Sequence, residues 1–84
     1  MKNIDIESLE IVDVNPQEDY TLELKFSNGE QRKFDASPYL DRGIFKELKN
    51  IFYFKKVSLN YGTVTWPHEQ DFSPVTLYLE GKPF

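Results

Sequence analysis

The chain has no cysteine, and only one histidine, one tryptophan and one methionine among 84 residues. Without thiols there can be no disulfide, thiolate zinc site or cysteine nucleophile, an absence that suits a reducing compartment. A single imidazole leaves any zinc or iron site to be completed by carboxylates. Its neighbour does not help, because His68 and Glu69 are adjacent and point apart on any regular element. Neither a metal nor a cofactor is expected. A glycine-rich phosphate loop, a nucleophile elbow and the spacing of a catalytic triad are all missing. The longest apolar run, Ile51-Phe52-Tyr53-Phe54, is far too short to span a bilayer. The opening MKNIDIESLE has no apolar core of a signal peptide. These absences lead to the expectation of a cytoplasmic protein with no membrane association.

What is present suits one small domain, 1–84. A chain this short buries only about 60% of its unfolded surface. Seven Phe, five Tyr and one Trp compensate, since each ring buries a large area for few torsions. Net charge is −4 and unevenly spread. Residues 1–30 carry eight acids against two lysines (−6), residues 31–60 seven bases against three acids (+4), and residues 61–84 add −2. An acidic end and a basic middle mark oriented surfaces.

The clearest local pattern is YTLELKFSNGEQRKFD, where Tyr20, Leu22, Leu24 and Phe26 alternate with polar residues at strand period. Asn28-Gly29 marks a hairpin turn. A two-residue loop would turn Phe34 to the polar face. A three-residue loop, Ser27-Asn28-Gly29 with Gly29 left-handed, places Phe26 opposite Glu30 and Leu22 opposite Phe34, and this register is expected. Leu9 to Val14 forms an earlier strand whose phase slips between Ile11 and Val12, the mark of a bulge, and Asn15-Pro16 closes it. Ser37-Pro38 caps a brief turn that Gly43 interrupts. Ile44, Phe45 and Leu48 then share one face of a short helix ending near Asn50. VSLNYGTVTWP forms a second hairpin around Tyr61-Gly62, with Leu59 facing Val64 and Val57 facing Trp66. Ser73-Pro74 starts and Gly81 stops a final short helix, preferred over a strand at Val75–Leu79. The fold class is α+β: a small antiparallel sheet of two hairpins plus an N-terminal strand, one short helix between the hairpins, and a C-terminal short helix.

Tyr20-x-Leu22-x-Leu24-x-Phe26-x-x-Gly29-Glu30, Phe34-Asp35, Pro38, Leu40, Gly43-x-Phe45-x-x-Leu48, Phe54, Val57, Gly62, Trp66-Pro67, Asp71, Pro74 and Leu77-Tyr78 resemble a bacterial family of small domains labelled domain of unknown function 2442. The resemblance covers roughly Ile11 to Gly81. It implies a small α+β domain, found alone or fused to a helix-turn-helix module that this chain does not supply. It also implies a neighbouring short protein as a toxin–antitoxin-like partner. No activity comes with it. Relatives follow Trp-Pro with Asn-Gly-like turn residues, whereas this chain has His68-Glu69, a departure that weighs against a catalytic His68.

The remaining candidates follow from residue chemistry. Asp35 and Asp71 each adjoin a phenylalanine that could desolvate them, and with His68 they form the one conceivable acid–base set. The bland alternative has Asp35 capping the Ser37-Pro38 turn and Asp71 holding the chain where it leaves the Trp66-Pro67 corner. Arg42, Lys46, Lys49, Lys55 and Lys56, interleaved with Tyr39 and Tyr53, form a basic aromatic surface. The acidic first third and a sequence pI of 4.9 weigh against direct nucleic-acid binding. The expectation is a non-enzymatic protein-binding or regulatory module, with those seven residues as its partner contacts and a small protein as its partner. The alternatives are a small acid–base enzyme and, third, a nucleic-acid adaptor.

Overall fold

The computed structural model describes residues 8–84, so the reading of the first seven residues as no signal peptide lies outside the described residues. Its elements are β1 (Ile11–Pro16), β2 (Thr21–Phe26), β3 (Gln31–Asp35), 3-10 helices at Ser37–Tyr39 and Gly43–Lys49, α1 (Ile51–Phe54), β4 (Ser58–Asn60), β5 (Thr63–Thr65), β6 (Asp71–Phe72), α2 (Pro74–Glu80) and β7 (Lys82–Pro83). The fold is α+β, and the two hairpins fall into separate antiparallel sheets, ordered β1-β2-β3-β7 and β4-β5-β6.

The first hairpin has the register that buries Phe34. Leu22 pairs with Phe34, the Phe26 amide donates to the Glu30 carbonyl at 2.8 Å, and Gly29 adopts φ +89°, where a side chain would be strained. The β1–β2 register slips between Ile11 and Asp13, placing the bulge at Val12. β1 starts two residues later than expected and runs through Pro16. Proline is tolerated there because it ends an edge strand and needs no ladder donor. In the second hairpin Leu59 pairs with Val64 across a Tyr61-Gly62 turn whose residues have φ +57° and +77°.

One core joins the two sheets. Leu22, Leu24, Phe26 and Phe34 line the inner face of the first, and Val64, Trp66 and Phe72 that of the second. Phe72 is the hinge of this core, its ring 4.9 Å from Phe34, 5.1 Å from Tyr39 and stacked 4.8 Å from Phe45. Leu77 of α2 closes the first sheet and is fully buried. Ser73 caps that helix by accepting from the Thr76 amide, and it stops at Gly81, where a Cβ would lie 2.5 Å from the Leu77 carbonyl. Arg32 seals the helix end by donating to the carbonyls of Tyr78 and Gly81, its guanidinium 3.8 Å from the Tyr78 ring centroid.

The middle differs most from the pattern in the sequence. Ser37 is not a cap; Asp35 Oδ1 accepts from the Ser37 amide and hydroxyl at 2.9 and 2.6 Å, as the capping alternative required. Asn50 ends the Gly43–Lys49 helix as expected, its amide donating to the Glu47 carbonyl, and it also starts α1, its Oδ1 accepting from the Phe52 and Tyr53 amides. Ile44 is not on the core face: it is 64% exposed, while Leu48 is fully buried. A 3-10 helix brings residues three apart into line, a spacing that cannot bury 44, 45 and 48 together.

Candidate functional site

The stretch Trp66-Pro67-His68-Glu69-Gln70-Asp71 forms the corner between β5 and β6. A tight turn closes it, with the Glu69 amide donating to the Trp66 carbonyl and the Trp66 amide to the Gln70 carbonyl, both at 3.0 Å. Glu69 sits at φ +74°, in the left-handed region. A turn of this shape suits Asn or Gly, the residues expected of relatives at this corner. An L-side chain in that region costs about 1–2 kcal/mol, partly offset by the larger unfolded-state entropy of glycine. Glu69→Gly is therefore expected to raise stability by up to about 1 kcal/mol in urea denaturation.

The corner is fastened from behind by two buried groups. The Trp66 indole donates to the Phe54 carbonyl at 2.8 Å, tying the corner to the end of α1. Gln70 is 2% exposed and fully engaged. Its amide nitrogen donates to the Ile44 carbonyl at 3.0 Å and Glu47 Oε1 at 2.9 Å, and its oxygen accepts from the Tyr53 hydroxyl at 2.7 Å. That hydroxyl in turn accepts from the His68 amide at 2.8 Å. The His68 ring stacks on Tyr53, centroids 5.4 Å apart, with Nδ1 within 2.9 Å of both Glu47 oxygens. No buried side-chain polar atom among the described residues is left unpaired, so a half-satisfied network is avoided.

The Glu47 carboxyl is held below its ordinary value, first by the His68 hydrogen bond and then by the Gln70 amide. A carboxyl depressed in the folded state stabilises above its unfolded value and loses that contribution as pH falls through the folded one. Urea titrations of wild type and Glu47→Gln are therefore expected to differ at pH 7 and to converge below the unfolded value of about 4.5. A difference constant down to pH 3 would contradict this assignment.

The three acid–base candidates are not assembled. Asp35 opens onto a concavity with Lys33 and Glu80, and Asp71 onto another with Thr65 and Glu69. His68 is exposed and turned to Glu47. Asp71 does not anchor the chain at the corner exit, since its side chain has no hydrogen bond or ion pair among the described residues; Gln70 takes that part. Among the described residues no three His, Cys, Asp or Glu side chains converge as a metal site.

The partner-contact residues separate into two groups. Tyr53 is not a surface contact as expected: at 9% exposure it belongs to the core and its hydroxyl is occupied, because Gln70 lies directly behind α1. Tyr39 is half-buried, in contact with the Phe34, Phe45 and Phe72 rings, and donates to Glu80 at 2.6 Å. That bond and partial burial raise its phenol. Arg42 lies over the Tyr39 ring at 5.1 Å. Lys49 pairs with Asp41 and Lys55 with Glu18. Such exposed pairs are weak and leave the cations available. Lys46 and Lys56 are exposed and have no ion-pair partner among the described residues. The exposed apolar side chains of this segment are instead Phe52 at 79% and Ile44 at 64%. The sequence held a signal for Phe52: four consecutive apolar residues on one helical turn cannot all face inward.

Fold and corner together define a small two-sheet α+β domain built without disulfides, its single histidine bound into a structural corner. The chain belongs to the family described as protein of unknown function (DUF2442), whose model matches residues 11–83. No curated protein and no solved structure matches it. No helix among the described residues is long and apolar enough to cross a membrane.

Proposed function

We propose that this protein is a non-enzymatic protein-binding module, the accessory or antitoxin-like half of a two-protein bacterial system in the cytoplasm. Its contact surface is the helical segment 42–56. The observation that carries this reading is Phe52, 79% exposed beside the buried Tyr53 and Phe54. Exposed aromatic side chains flanked by cations are typical binding anchors. Arg42, Lys46, Lys49, Lys55 and Lys56 supply the cations, in a chain whose net charge is otherwise acidic. The dispersal of Asp35, Asp71 and His68 favours this reading over an acid–base enzyme.

Affinity capture of the tagged protein from lysate of its own source organism tests it. One small protein is expected in stoichiometric amount at low and moderate salt. Phe52→Asp should weaken its retention by about tenfold or more, on the scale of an interface hot spot. Lys46→Glu with Lys49→Glu should weaken it further. Both changes lie on the surface and are expected to shift stability by less than about 0.5 kcal/mol. A clean negative at both salts would end the stable-partner reading. Retention unchanged by either variant would remove segment 42–56 from the interface.

A further inference from the structure

The outer face of the β4-β5-β6 sheet carries a concavity of about 410 Å³, formed by residues outside the helical contact segment. Its floor is a cross-strand row: Ser58 pairs with Thr65, and Thr65 with Asp71. Asn60 Nδ2 bridges the Ser58 and Thr65 hydroxyls at 3.0 and 2.8 Å, so the Ser58–Thr65 part of the floor is fixed. The two ends differ from the floor. At one end stands Tyr61, 99% exposed, in the left-handed hairpin turn. At the other, the Trp66-Pro67 corner presents Glu69 and Asp71, whose carboxylates have no ion pair or hydrogen bond among the described residues. This contrasts with Glu23 and Glu30 on the other sheet, which pair with Lys33 and Arg32.

We propose that this groove docks an extended, arginine-bearing peptide segment of a partner. The charge and shape of the lining select that occupant. A guanidinium matches a carboxylate in a planar, bidentate way and also stacks on an aromatic face. Tyr61 supplies the face, Glu69 and Asp71 supply the carboxylates, and the Asn60-bridged floor accommodates a main chain between them. A lysine offers charge without the planar match, so arginine should bind more tightly than lysine here. The groove is independent of the helical contact segment: its failure leaves the proposed function untouched, and the reverse also holds.

The test is a titration of the ¹⁵N-labelled full chain, followed by its amide resonances, with a heptapeptide of alternating arginine and alanine. The lysine counterpart serves as the comparison. Shifts are expected at Ser58–Thr65 and at Glu69–Asp71, with the arginine peptide binding about threefold or more tighter than the lysine peptide. Glu69→Gln with Asp71→Asn, and separately Tyr61→Ser, should each weaken binding about fivefold or more. Asp13→Asn with Glu23→Gln, on the other sheet, should change it less than twofold. All these side chains are at the surface, and the dispersion of each variant's spectrum reports that the fold is kept. Equal weakening by the two acid-removing pairs would mean non-specific attraction and overturn the proposal. So would shifts spread over residues 10–23, no shift at millimolar peptide, or equal affinity for lysine. Groove shifts that depend on protein concentration without peptide would assign the groove to a second copy of the chain and overturn it as well.

Discussion

Replacing Phe54 by alanine is expected to lower the unfolding free energy by about 3–5 kcal/mol, read as a shift of the urea midpoint. The ring is fully buried and packed edge-on against Tyr20 at 5.3 Å and beside Trp66 at 5.9 Å. Removing it leaves a cavity where the sheets, α1 and the Trp66 corner meet. Domains of this size have only about 5–10 kcal/mol to lose, so this one change removes a large share of the total. The informative comparison is two residues upstream. Phe52→Ala removes the same side chain from the same helical turn, yet at 79% exposure it should cost less than about 0.5 kcal/mol. Equal losses at the two positions would refute the orientation of α1, and with it the contact surface proposed above.

The second large effect is expected at Gln70, where alanine should cost about 2–4 kcal/mol. The side chain is buried and bonds the Ile44 carbonyl, Glu47 and the Tyr53 hydroxyl. Its loss strands the buried Tyr53 hydroxyl proton, at about 1–3 kcal/mol, removes the packing of a buried side chain and frees the part-buried Ile44 carbonyl. The effect should also be local. Amide exchange over 44–48 should accelerate more than in β2, because Gln70 fastens the Gly43–Lys49 helix to the corner. A Gln70→Ala variant with wild-type stability would show that water replaces the amide without cost. His68→Ala removes an exposed ring together with its hydrogen bond to Glu47 and its stacking on Tyr53, and should cost less than Gln70→Ala because none of those groups is left buried and unpaired.

These two sites also show which parts of the structure were legible. The first hairpin could be read to the residue: its alternation has period two, and only a three-residue loop puts Phe34 on the same face as Leu22. The bulge at Val12, the Tyr61-Gly62 turn and the Ser73–Gly81 helix were likewise written in local signals. The assignment of the hairpins to two sheets was not, because whether β1–β3 and β4–β5 share an edge is set at long range, and their flanking partners β7 and β6 are strands of two residues each. Such short pairings carry no periodicity. The helical middle failed for a related reason. Asn50 both ends one helix and caps the next, and which side chains of IFYF turn inward is set by distant partners, Tyr20 and Trp66 against the Phe54 ring and Gln70 on the Tyr53 hydroxyl.

At the corner, the lone histidine is conspicuous in the sequence, while the residues that organise the site, Glu47 and Gln70, have no motif to mark them. Their contacts span 21–26 residues of sequence, a separation at which local pattern is silent. Asp35 and Asp71 adjoin phenylalanines in sequence, yet both lie at the surface. Adjacency in sequence turned out to carry no burial there, because in a strand successive side chains take opposite faces.

The most direct test of the protein-binding account is amide exchange of the full chain, free and bound to its captured partner. The account predicts slowed exchange across 42–56, greatest around Phe52, with the Trp66–Asp71 corner already protected in the free chain by its own hydrogen bonds. Protection appearing elsewhere, with 42–56 exchanging as in the free protein, would contradict it.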